Sequence, residues 1–199
     1  TCGHHMVDKF AGIAPTRGIH NGLILDPFEF RQQVAADAPL VFLGRIEPIK
    51  GTHSAIRIAR KTGRKLIIAG NRSHDPEMDR YFLEQVEPHL DDQIRYIGSV
   101  NDVQKNELLG QAAAFLMPIE WDEPFGIVMA EALACGTPVI GTARGALPEI
   151  VTDGVTGQGC QTVDEMIDAV RRIDTFSRDA CRQSAEQRFS SEVIVDQYV

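Results

Sequence analysis

A chain of 199 residues, 43% hydrophobic and 24% charged, is too apolar for a disordered segment and long enough to bury a core without staples. Its formal charge of -8, from 20 basic and 28 acidic residues, speaks against a nucleic-acid binder, so any bound anion must be met by a few local cations. The four cysteines, at 2, 135, 160 and 181, form no C-x-x-C pair and suit neither zinc nor a disulfide framework, and no apolar run approaches the ~18 residues that span a membrane. These features, with no signal peptide visible, fit a cytosolic protein of one domain or two small ones with reduced cysteines.

The opening TCGHHMVDKFAG carries no signature of a folded element. His4, His5 and Asp8 could be drawn as a metal site, but residues 1–18 are expected to be a flexible tail or truncated linker, with the domain proper at 19–199. IHNGLILDPFEF (19–30) contains Asn21-Gly22, a turn signal. From residue 40 a regular alternation begins. LVFLG (40–44), KLIIAG (65–70), IRYIG (94–98), AAFLMP (113–118) and TPVIG (137–141) are short apolar runs that read as buried strands. Between them, 52–63, 76–90 and 102–112 read as helices, the first stopped by Gly63, the second opened by Pro76 and the third capped by Asn101 or Asp102. A further helix follows Pro124. Beyond residue 160 the chain turns helical, at 162–173, 177–189 and 190–199, with Thr162 and Ser190 or Ser191 as caps.

Strands alternating with helices at this spacing imply βαβ units and an α/β fold, a doubly wound, mostly parallel Rossmann-like sheet with a helical C-terminus. Such sheets bind ligands outside the carboxyl ends of their strands. Gly44, Gly70, Gly98 and Pro118 end strands, so the loops after them line one rim. The first of these loops, GRIEPIKG (44–51), carries Arg45 and Lys50. It is neither a phosphate loop of nucleotide hydrolases nor a dinucleotide fingerprint. Alone, it fits two solvated cations as well as an anion site.

The stretch IEWDEPFGIVMAEALACGTPVIG (119–141) sets Glu123 and Glu131 seven residues apart around an apolar segment. A glutamate early in a helix complements its dipole, and a second can be merely solvated. Pro124 suits a first helical position, and the helix is expected to run to Gly136. Gly126, a poor helix former, suits a place where something approaches the backbone closely. The early N–H groups around Phe125 to Val128 and the dipole make an anion site. A continuous helix would separate the two carboxylates by ~12 Å, about the reach of a sugar, a diphosphate and a ribose. Acceptors at both ends suit hydroxyls; Arg45, Lys50 and the helix start suit the phosphates between.

With these motifs in order, the chain resembles the C-terminal half of GT-B-fold retaining glycosyltransferases of family 4. The resemblance covers about residues 18–198 and is carried by IHNGLIL, GRIEPIKG, LIIAG, RYIGSV, the E-x7-E stretch and GALPEIVTDGVTG (145–157). It implies a nucleotide-diphospho-sugar donor, a UDP- or GDP-sugar, transferred with retention and without a divalent metal or other cofactor. Arg45 and Lys50 would hold the diphosphate, Glu123 the donor sugar near the reacting centre, and Glu131 the ribose. Backbone groups of Phe125, Gly126, Ile127 and Val128 would serve sugar and phosphate. The base would lie near Gly70 and near Ile97, Gly98 and Ser99, with Gly44 also at the donor. The family's acceptor domain precedes this half, and any peripheral membrane contact would come through it. A sugar-nucleotide epimerase, a phosphorylase and a binding module active only with a partner domain are the rival readings. His53 and His74 are read as surface histidines, Trp121 as packing at the domain edge, and Cys135 as a buried structural cysteine.

Overall fold

A computed structural model describes residues 1–10, 12–73 and 75–198, so the expectation for His74 lies outside the described residues. Six strands are present: β1 (Leu40–Leu43), β2 (Leu66–Ala69), β3 (Ile94–Tyr96), β4 (Ala114–Met117), β5 (Val139–Thr142) and β6 (Gly157–Cys160). They form one sheet in the order β3-β2-β1-β4-β5-β6, with every neighbouring pair parallel. β6 was not expected. Its sequence GQGC has two glycines and no β-branched residue, and it becomes a strand by pairing with β5.

Among the described residues, eight α-helices accompany the sheet: α1 (Thr52–Thr62), α2 (Pro76–Gln85), α3 (Asp102–Gln111), α4 (Ile127–Ala134), α5 (Leu147–Ile150), α6 (Val163–Arg171), α7 (Arg178–Phe189) and α8 (Ser191–Val195). Leu40, Phe42, Leu66, Ile68 and Ile94 face a layer made by α1, α2 and α6. Val41, Phe115 and Val139 face the other layer, made by α3, α4 and α7. Both faces of the sheet are therefore buried, which is why the strands read as apolar runs rather than alternating ones.

Several boundaries moved for local reasons. α2 stops at Gln85 rather than residue 90, because Pro88 lacks an N–H and the chain tightens into a 3-10 turn at Glu87–His89. Asn101, not Asp102, caps α3 in a reciprocal capping box with Gln104. Ser190 rather than Ser191 caps α8. The turn expected at Asn21-Gly22 is absent. Residues 22–23 run extended along the C-terminal helices, with Leu23 bonded through its amide to the Phe189 carbonyl and through its carbonyl to the Ser191 amide.

Helix α7 is bound to its neighbours through arginines. Arg178 donates to the carbonyls of Arg31, Gly110 and Ala112, and Arg182 to those of Phe28 and Ala134. These cations sit where α3 and α4 leave their last carbonyls unpaired, a favourable place for positive charge. Burial pushes the Arg178 guanidinium below its ordinary range.

Within the segment expected to be a tail or truncated linker, residues 1–10 contact the domain. His4–Phe10 form a 3-10 helix, and the segment is tied down by Glu149. One Glu149 carboxylate oxygen accepts from the His4 amide at 2.8 Å and the other from the His5 amide at 2.6 Å. The imidazoles of His5 and His20 lie 2.7 and 2.9 Å from the same carboxylate. None of the 3-10 residues is buried, so no apolar pattern marked the element.

Candidate functional site

The sheet reverses its winding between β1 and β4, and the crevice outside their carboxyl ends is where an α/β sheet takes a ligand. A cavity of about 190 Å³ opens there. Its lining includes Gly44, Arg45, Lys50, Glu123, Gly126, Ile127 and Val128. Grooves of about 450 and 570 Å³ lie elsewhere, beside Val34, Pro39, Ala113 and Pro138 at the amino ends of the strands. The smaller cavity is the stronger candidate, because charged groups from separate elements converge on it.

Loop 44–51 is fixed at three points. Ile46 is buried, and its amide donates to the Asn71 carbonyl. The Ile49 carbonyl accepts from the Glu120 amide. Gly51, with φ +75°, rests directly on the Pro118 carbonyl, leaving no room for a Cβ. The loop thereby docks on the end of β4 and aims Lys50 across the crevice. Lys50 Nζ lies 2.6 Å from Glu123 Oε2, with the two side chains 16% and 14% exposed. The ammonium also stands 4.6 Å above the centre of the Trp121 ring, a cation–π contact. Trp121 thus forms part of the Lys50 environment. Arg45 is 60% exposed and forms an ion pair at 2.6 Å with Glu47, so its guanidinium stands at the lip of the cavity.

The helix after Pro124 begins later than expected. Gly126, left-handed at φ 69° and ψ 65°, is its N-cap, and α4 starts at Ile127. An added Cβ on Gly126 would come within 2.8–3.1 Å of Met129 Cε, Met117 Cε and Glu123 Cγ. The opening amides are therefore those of Ile127 and Val128; Met129 N already donates to the Gly126 carbonyl. Because the helix does not reach Glu123, the ~12 Å spacing of a continuous helix does not apply. Pro124 lies outside the helix, and the Phe125 side chain is buried against His20 and Phe189, away from the ligand side. The loop before α5 closes behind Glu123: Ala146 N donates to the Glu123 carbonyl at 3.0 Å, and Gly145 packs on the same residue.

Glu131 sits one turn beyond Val128 and does not line the cavity. Its side chain is 7% exposed. One oxygen takes a 2.7 Å hydrogen bond from Lys105 Nζ on α3, and the other is buried with no partner among the described residues. Burial works against the Lys105 charge, but the hydrogen bond and charge of Glu131, helped by Asp102, outweigh it and hold the ammonium above its ordinary range. Lys105 belongs to none of the motifs; its only signal in the sequence is its place in the first turn of the helix that follows β3.

The remaining expected residues lie further along the rim. Gly70 N donates to the Gly98 carbonyl at 2.8 Å, and the Ser99 hydroxyl bonds the Asn71 side chain. Ile97 and Ser99 line a separate groove of about 290 Å³ with Val100, Gln104, Glu107 and Leu108.

Two further groups bear on chemistry. Cys135, Cys160 and Cys181 are buried, and desolvation pushes each thiol up to about 12, which leaves them unreactive. His4, His20 and Glu149 bring ligand atoms within 4.8 Å of one another. Asp8, drawn above with His4 and His5 as a metal site, is not in this group. Glu149 already receives four hydrogen bonds, and the cluster serves as the clamp on the N-terminal segment. Burial raises the Glu149 carboxyl, but the hydrogen bonds from His20, His5 and His4 outweigh it and hold the group at about 2.

A family model described as Glycosyl transferases group 1 matches residues 28–192. The chain is 32% identical over 209 residues to a glycogen synthase of Mycobacterium tuberculosis, covering 96% of this chain and 49% of that protein. AviGT4, a glycosyltransferase involved in avilamycin A biosynthesis, is 28% identical and superposes with a TM-score of 0.73, covering 92% of this chain and 56% of the other. Anabaena HepE, solved in complex with UDP-glucose, superposes with a TM-score of 0.79 over 92% of this chain and 56% of its own; at 21% identity that likeness concerns the fold. The chain spans about half the length of the curated relatives it matches. Among the described residues, no helix is long and apolar enough to cross a membrane.

Proposed function

The chain belongs to the group 1 glycosyl transferases, and from that premise we propose that it binds the nucleotide-diphospho-sugar donor of a retaining, family 4 type transfer. The observation that carries this reading is the convergence of Lys50, Arg45, Glu123 and the opening amides of α4 on the crevice between β1 and β4. A diphosphate in that crevice would meet a fixed ammonium, a mobile guanidinium and the positive end of a helix. Lys50 would then be shared between phosphate and Glu123, and Glu123 would turn toward the hydroxyls of the donor sugar. Developing charge on the departing nucleoside diphosphate would be met by the same donors, which is where transfer gains its rate.

Glu131 would accept from the ribose hydroxyls through the oxygen that Lys105 leaves unpaired. The base would rest toward Gly70 and the Ile97–Ser99 groove. HepE was solved with UDP-glucose, which favours a UDP-sugar here; a GDP-sugar remains the alternative arm of the test. The acceptor site and the closing wall belong to a second, N-terminal half, so the 199 residues alone bind donor but transfer sugar slowly or not at all. We assign the reaction to the cytoplasm, with no divalent metal or cofactor needed and any membrane contact made by the other half.

Calorimetric titration with UDP, GDP and ADP, with and without a chelator, tests the reading. Binding of one of them in chelator, weakened by Lys50→Ala, supports it. Absence of binding by all three would overturn it.

A further inference from the structure

We propose that Lys105 is a positioning residue, which keeps the buried Glu131 carboxylate charged and oriented so that the site selects a ligand carrying ribose hydroxyls. The inference rests on the reading of Glu131 as the ribose acceptor and adds the group that makes it one.

Glu131 is placed where a carboxylate is costly. Its neighbours on α4, from Met129 to Ala134, are all buried, and the helix is packed between α3 and α7. A buried anion persists only with a cation and hydrogen bonds, or it takes up a proton. The charged and titratable groups around it are few. Lys105 on α3 supplies the cation at 2.7 Å. Asp102, also on α3, lies 3.1 Å from Lys105 but is 98% exposed, so water screens it. Cys135, one turn further along α4, stays a neutral thiol. Arg178 and Arg182, on the packed helix α7, donate to main-chain carbonyls, so Lys105 is the cation paired with Glu131 among the described residues.

The geometry also orients the carboxylate. Lys105 is held in the first turn of α3 by the Asn101–Gln104 capping box, and its amide donates to the Asn101 carbonyl at 2.8 Å. Its ammonium occupies one Glu131 oxygen only. The second oxygen is buried and unpartnered, an arrangement that is costly until a donor arrives. A ribose hydroxyl is such a donor. A neutral carboxylic acid would be a weaker acceptor and would present its own O–H.

The test compares wild type with Lys105→Met, Lys105→Arg and the Lys105→Met/Glu131→Gln double variant, at neutral pH. Difference infrared spectra should show a protonated carboxyl band in Lys105→Met that vanishes in the double variant and in Lys105→Arg. Lys105→Met should bind the preferred nucleoside diphosphate about tenfold more weakly, its 2′,3′-dideoxy analogue within about twofold of wild type, and Lys105→Arg should recover most of the loss. No carboxyl band in a folded Lys105→Met, or equal losses for both ligands, overturns the proposal. If wild type binds no nucleoside diphosphate, the donor-site reading fails by itself, while the infrared band still decides whether Lys105 keeps Glu131 charged.

Discussion

Two lysine–glutamate pairs of nearly equal length, Lys50–Glu123 at 2.6 Å and Lys105–Glu131 at 2.7 Å, sit at either end of the E-x7-E stretch. They differ in what holds them. Lys50 and Glu123 come from two loops and face an open crevice, with Trp121 beneath the ammonium. Lys105 and Glu131 come from two packed helices, and the carboxylate is buried. The Lys50–Glu123 pair lines a cavity, so an anion entering there can share the Lys50 ammonium without any helix being unpacked. A pair between helices keeps its geometry, because moving either charge would leave the other buried and unpaired. The same two residue types thus make a pair that lines a cavity at one end and a pair locked between helices at the other.

The harshest way to break the comparison is to move the loop that presents Lys50. Gly51→Ala puts a methyl group onto the Pro118 carbonyl at a positive φ. It should cost about 3 kcal/mol and lower the melting temperature by roughly 10 °C. A change in melting temperature of under about 2 °C would show that loop 44–51 does not need that close approach.

Next in size is Lys50→Ala. It should weaken nucleoside diphosphate binding by about 30- to 100-fold while leaving nucleoside binding within about threefold, since charge-assisted bonds go to phosphate. Equal losses for both ligand types would place Lys50 away from the diphosphate. Glu131→Gln sharpens the contrast at the other pair. Its expected loss is about tenfold for ribonucleotides and negligible for dideoxy analogues, read by the same titrations. A matching loss for the dideoxy ligand would separate Glu131 from the ribose.

The smallest effect concerns the clamp on the N-terminal segment, which lies outside both pairs. The Glu149 carboxyl is depressed from 4.5 to about 2 in the folded state. A depressed carboxyl contributes stability that is present above its unfolded value and lost as pH falls through the folded one. Protection of residues 1–18 should therefore be full above about pH 4.5 and lost toward pH 2, as followed by limited proteolysis or hydrogen exchange. Glu149→Gln should release the segment at neutral pH with only about 1 kcal/mol of global destabilisation. A segment equally protected in the variant and at low pH would assign its anchoring to other contacts.

Much of this was legible in the residues. The runs at 40–44, 65–70, 94–98, 113–118 and 137–141 marked five strands, whose observed bounds are shorter or shifted by a residue or two, because burial on both faces of the inner strands leaves little polar alternation. GRIEPIKG and Glu123 pointed to the crevice, because Arg45, Lys50 and Glu123 line it; Glu131 does not. Asn101, Thr162 and Ser190 marked helix starts, since capping is a local hydrogen bond.

Other features depended on residues distant in the chain. β6 exists through its ladder with β5, and the 3-10 segment at His4–Phe10 is held by Glu149, some 145 positions away. The start of α4 was set by Gly126, whose left-handed turn is packed between Met117, Met129 and Glu123. Glu131 meets Lys105 because α3 and α4 pack side by side, although the two residues are 26 positions apart. Short-range propensity and motif spacing are written along the sequence. The partner that a buried carboxylate meets is chosen by packing, and only the tertiary structure names it.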